Sequence, residues 1–213
     1  MRIEKSITVS MIALAFMCLG TSRLLAGESH DAKIRWDIFQ LLADGVTAAA
    51  GGTSTSAASS EPLQGAGDDS TITLTGSGTF ELGESHDVAG GGTWVTATKG
   101  GTVTGRGTYR VTGLVSFVFA PGNFALTGLI DSIGNAADAR AGLAVMRVAY
   151  SDGAKGTLVV VCSLGPPAGT PANVIEGTTA IKGFVDYADP VFPTDSSPLT
   201  GNTLFHVIHE HEE

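Results

Sequence analysis

Residues 71–82, TITLTGSGTFEL, alternate two kinds of side chain along their whole length. Ile72, Leu74, Phe80 and Leu82 take the even positions, with Gly76 and Gly78 between them, and Thr71, Thr73, Thr75, Ser77, Thr79 and Glu81 take the odd ones. Successive side chains of an extended chain point to opposite faces, so this spacing predicts a β-strand with one apolar and one polar face. Glycine inside a strand marks a bend or a close approach of backbone, so the segment reads as one coiled strand or as two joined by a kink.

The same pattern extends outward. Toward the C-terminus, residues 92–98 form a strand around Trp94, Lys99, Gly100 and Gly101 turn the chain, and residues 102–120 form a long strand. Tyr109, Val111, Val115, Phe117 and Phe119 share one face of it, while Thr108, Arg110, Thr112, Leu114, Ser116 and Val118 share the other. Pro121, Gly122 and Asn123 stop this strand, and the alanines between 126 and 142 allow one short helix. Residues 143–150 and 157–164 flank Asp152 and Gly153, a strong hairpin signal. Strand-like alternation returns at 175–187 and 203–209, across a proline-containing loop at 189–202. Toward the N-terminus, Ile34, Trp36 and Ile38 alternate in a first strand at 33–42, and residues 43–70 read as a flexible loop rich in Ala, Gly, Ser and Thr. The expectation is an all-β, mainly antiparallel domain at 27–213 with about eight strands, closed as a glycine-rich barrel or packed as a sandwich. A barrel is favoured over a sandwich, because glycines within long strands permit sharp coiling.

Residues 1–26 read as a cleavable signal peptide, with Arg2 and Lys5 ahead of an uncharged apolar run at 9–19. That run is shorter than the roughly 20 residues of a membrane-spanning helix, and no later segment is a candidate. Cleavage after Ser22 or after Ala26 both fit. Phe16 and Met17 are bulky for lipid attachment at Cys18. Past residue 26, nine basic residues minus twenty acidic ones give a formal charge of −11. Such an acidic chain, with scattered cations, repels phosphate backbones and argues against a nucleic-acid partner. Secretion to a periplasmic or extracellular space permits disulfides, but Cys162 has no second cysteine in the processed chain and sits in an apolar run as a small buried hydrophobe.

The clearest candidate site is the C-terminal stretch His206, Val207, Ile208, His209, Glu210, His211, Glu212, Glu213. In an extended chain His209 and His211 project from one side, about 6–7 Å apart along the backbone, and two imidazoles so placed can share a divalent metal. His206 faces the other way. Against this, chain ends fray, and a solvated acidic tail at 206–213 is the plainer reading. His30 with Asp31 and His86 with Asp87, in two copies of Gly-Glu-Ser-His-Asp, read as polar loop residues. Asp131, Asp138, Asp186 and Asp189 read as solvated loop charges, and Trp36 and Trp94 as core anchors. No serine lies in a Gly-x-Ser-x-Gly elbow, and no catalytic residue or bound cofactor is assigned.

The stretches 76–80, GSGTF, and 105–109, GRGTY, resemble the Gly-Thr-aromatic strands of the small dirigent and allene oxide cyclase barrels. The resemblance covers those few residues and carries no functional position. The reading is a secreted or envelope-associated, non-catalytic β domain that binds a small apolar ligand or an extracellular surface partner. The alternative is a barrel enzyme, either metal-dependent through His209 and His211 or a cofactor-free isomerase.

Overall fold

The computed structural model describes residues 32–58, 69–83, 87–120, 128–163, 174–191 and 201–209. The signal segment 1–26, His30, Asp31, His86, His211 and the end of the acidic tail lie outside the described residues, as do 59–68 of the expected loop. Within them the chain is all-β. Its strands are β1 (Lys33–Leu41), β2 (Thr47–Ala50), β3 (Ser54–Ala57), β4 (Thr71–Leu74), β5 (Ser77–Glu81), β6 (Val88–Ala97), β7 (Val103–Phe119), β8 (Ile130–Asp131), β9 (Ala139–Arg140), β10 (Gly142–Tyr150), β11 (Lys155–Cys162), β12 (Gly177–Lys182), β13 (Val185–Tyr187), β14 (Asp189–Val191) and β15 (Asn202–Ile208). The expected short helix is a single 3₁₀ turn, Ala136–Asp138, capped by the Asn135 side chain.

Among the described residues fifteen strands replace the expected eight or so, because short strands form where loop or helix is expected (β2, β3, β8, β9 and β14) and because 71–82 and 175–187 each divide in two. Residues read as flexible loop pair as β2 and β3, since Ala, Ser and Thr extend readily once a neighbour supplies the ladder. The stretch 71–82 breaks at Thr75 and Gly76 into β4 and β5, with Ile72, Leu74 and Phe80 buried on one face. One ladder runs β13-β12-β11-β10-β7-β6-β5-β1-β15-β9, with β4, β3 and β14 extending from β6 and β2 and β8 from β1. Every pair is antiparallel except β2 with β8. The first and last described strands, β1 and β15, pair in this ladder, Lys33 opposite Ile208 through Phe39 opposite Asn202.

Among the described residues the sheet does not close into a barrel. Where β11 nears β15 and β12 nears β3, hydroxyl side chains bridge instead of a backbone ladder. Thr203 Oγ1 donates to the Val161 carbonyl at 2.5 Å, Ser56 Oγ donates to the Thr178 carbonyl, and the Thr178 N–H donates to Ser54 Oγ at 3.0 Å. Gly177, at φ +112°, departs from extended geometry where a regular ladder between β12 and β3 would begin.

The two tryptophans anchor the core as expected, each seated on a pair of glycines. Trp36, fully buried, lies over Gly76 and Gly78, where an added Cβ would come within 3.1 and 2.8 Å of its ring. Trp94 lies the same way over Gly105 and Gly107, at 3.0 and 2.9 Å. The glycines of GSGTF and GRGTY thus make room for indoles. Phe80, Phe117 and Phe205 form a second aromatic cluster with centroids 5.1 to 6.4 Å apart.

β7 departs from simple alternation. Its register with β10 skips Thr112 and Val115, two bulges that leave Leu114 facing inward opposite Met146 and push Val115 to 51% exposure. Tyr109, Val111, Phe117 and Phe119 keep the inward side expected of them.

Candidate functional site

The β10–β11 hairpin turns at Asp152 and Gly153, as its sequence predicts, and carries a row of apolar side chains on its outer face. Register places Val118, Leu143 and Val161 side by side on β7, β10 and β11. Beside this row, Val174, Ile175, Ala188 and Pro190 complete a groove of about 280 Å³. Across Leu143, Val161 and Val174 it adjoins a smaller pocket of about 130 Å³ that reaches Ala120 and Cys162. Among the described residues no charged side chain lines either one. Small-ligand sites are concave and mostly apolar, with a few polar groups at their margins, and here Thr179 and Ser163 are polar residues of the lining.

Behind the groove, Glu176 turns its carboxylate inward. It accepts hydrogen bonds from the Ser163 N–H and from the Thr203 N–H at 2.6 Å, and lies 2.9 Å from the Thr203 hydroxyl oxygen, tying β15 to the entry of β12. Burial outweighs those bonds and pushes its pKa up to about 7.

A polar cluster lies at the opposite end of β15, under residues 128–141. His206 Nε2 is 2.6 Å from Asp131 Oδ2, with the two side chains only 4% and 1% exposed. Asp131 Oδ1 accepts the Ile133 and Gly134 N–H groups at 2.9 and 3.1 Å. Burial opposes ionisation of Asp131, but the His206 bond and the two backbone bonds prevail and hold it below the ordinary carboxylate range. Arg35, opposite His206 in the ladder, grips Asp37 through two bonds of 2.7 and 2.9 Å. His209 meets Asp138 at 3.1 Å near the surface.

These contacts revise the reading of the histidines. His206 is a core residue, and the segment expected as a solvated tail is, through Ile208, a strand stapled by two His–Asp pairs to one crossover. Among the described residues no three His, Cys, Asp or Glu side chains gather as a metal would need. His209 faces Asp138, and its proposed partner His211 lies outside the described residues. Asp186 and Asp189 are exposed, as expected, whereas Asp131 is buried. Cys162 is buried, as its apolar surroundings imply. Glu176 and the Asp131–His206 pair escape sequence reasoning, although a histidine inside the apolar run 203–208 does signal a buried polar partner.

The chain matches no known family, no curated protein and no solved structure. No helix among the described residues is long and apolar enough to cross a membrane.

Proposed function

We propose that this chain is a secreted or envelope-associated, non-catalytic β domain that holds a small apolar ligand in the groove beside Leu143 and Val161. The observation that carries this reading is the groove itself, a concavity lined among the described residues without a charge and flanked by Val174 and Ile175 at 39% and 49% exposure. Apolar surface left open in this way lowers its free energy when a ligand displaces water from it. The Asp131–His206 pair supports a structural role, because no hydroxyl or thiol among the described residues bonds to His206.

Titration with a neutral naphthylamine dye tests the reading. Wild-type protein is expected to enhance its emission saturably, and Leu143→Asp, on an exposed position, to abolish the enhancement while leaving the unfolding midpoint nearly unchanged. Equal enhancement by wild type and variant would remove the groove as the site.

A further inference from the structure

We infer that the outer face of β7, β10 and β11 is a docking surface for an anionic lipid membrane. The observation is an asymmetry of charge. The chain carries 21 acidic residues against 12 basic ones, yet β6, β7, β10 and β11, four neighbours in the sheet, contain no carboxylate at all. They contain four cations instead: Arg106 and Arg110 on β7, Arg147 on β10 and Lys155 on β11, all exposed. Lys33, Arg35, Lys99 and Lys182 each have an acidic partner. These four have none among the described residues. Long cationic side chains left unpaired in an acidic protein are placed to meet an external anion.

Register puts them on one face with exposed apolar groups. Val118, Leu143 and Val161 form one row, Ser116, Val145, Val159 and Thr179 the next, and Gly113, Arg147, Thr157 and Ile181 the third. Arg110, Ala149 and Lys155 follow. The face therefore grades from aliphatic to cationic along the strands. At its cationic end the Gly183 N–H donates to the Lys155 carbonyl, and the adjoining Phe184 is 99% exposed. Val118 and Ile181 are 62% and 39% exposed. Scattered apolar residues on a surface need no explanation, but a contiguous patch rimmed by unpaired cations does. Peripheral membrane binding combines these two contributions, apolar groups entering the interface and Lys or Arg meeting anionic headgroups. The acidic remainder of the molecule is repelled by the same surface, which orients the domain with this face inward.

Co-sedimentation of the full chain with vesicles tests the proposal, the N-terminal apolar stretch being common to every variant. Binding is expected to phosphatidylcholine vesicles containing phosphatidylglycerol, to weaken with salt, and to be far weaker on phosphatidylcholine alone. Each basic residue near an anionic surface contributes about fivefold. The variant with Arg106, Arg110, Arg147 and Lys155 all changed to Ser is expected to lose twentyfold or more, at about two engaged residues or above. Lys99→Ser, on a paired cation elsewhere, is expected to change nothing. Should the fourfold variant not fold, Arg106→Ser with Phe184→Ser replaces it. In addition, Phe184→Trp is expected to blue-shift on anionic vesicles and to be quenched by brominated lipid. Equal binding to both vesicle types, undiminished binding by the folded cation variants, displacement by inorganic phosphate alone, or binding to heparin without vesicles would each overturn the proposal. Loss of dye binding with vesicle binding retained would remove the groove reading and leave this one standing.

Discussion

Replacing Glu176 with glutamine is expected to flatten the dependence of stability on pH. The carboxylate sits among Ser163 and Thr203 donors, and its pKa rises from an ordinary 4.5 to about 7 because burial penalises its charge. An acid that holds its proton more tightly when folded stabilises the fold fully below pH 4.5, and that contribution is lost as the pH climbs to about 7. A rise of this size corresponds to about 3 kcal/mol, a large share of the roughly 5–15 kcal/mol that holds a domain together. Asp131 acts in the opposite sense and in a different window. Its lowered pKa gives stability that is present above 3.8 and is lost as the pH falls through its folded value. Glutamine matches the acid in size but keeps one acceptor oxygen where the carboxylate uses both, so a buried N–H of Ser163 or Thr203 loses its partner at a cost of about 1–3 kcal/mol. Urea unfolding at a series of pH values, followed by the fluorescence of buried Trp36 and Trp94, measures both proteins. Wild type is expected to lose stability between pH 4.5 and 7, and Glu176→Gln to lose little over the same span and to equal or exceed wild type above it. Parallel curves for the two proteins would refute the assignment of Glu176 as a buried, reluctant anion.

Two further substitutions probe the polar cluster and the indole seats. His206→Ala leaves the buried Asp131 carboxylate without its 2.6 Å hydrogen-bond partner and is expected to cost about 3 kcal/mol in urea unfolding, a loss below about 1 kcal/mol showing the pair to be solvated. His209→Ala, whose side chain is 63% exposed, is expected to cost no more than about 1 kcal/mol in the same assay. Gly78→Ala places a methyl 2.8 Å from the Trp36 indole nitrogen and 2.2 Å from the Ala89 carbonyl, and is expected to lower stability by about 2–3 kcal/mol with a change in tryptophan emission. Gly113→Ala meets nothing nearer than the Arg147 guanidinium at 3.5 Å and is expected to fall within about 1 kcal/mol of wild type. Indistinguishable midpoints for the two glycine variants would contradict the seating of Trp36.

Much of the strand content was legible because alternation is local. Ile72, Leu74 and Phe80 share a face through backbone geometry alone, and so do Ile34, Trp36 and Ile38. The Asp152–Gly153 hairpin was legible for the same reason, since turn chemistry depends on adjacent residues. Residues 47–57 carried no such signal, because short Ala, Ser and Thr side chains commit to extension only when β1 and β4 offer ladders. The two bulges in β7 were equally hidden, because a skipped residue is a property of the pair of strands rather than of either one.

The sequence by itself determined which segments would extend and which faces would be apolar, and it marked Gly76 and Gly78 as a bend or a close approach of backbone. Those are consequences of chemistry within a few residues of chain. Tertiary structure alone decided that Asp131 meets His206 across 75 residues, that Glu176 is walled in by Ser163 and Thr203, and that Arg110, Arg147 and Lys155 gather on one face beside Leu143. Each of these depends on the register between strands distant in sequence. Register is set by the packing of the whole core, so no local pattern encodes it.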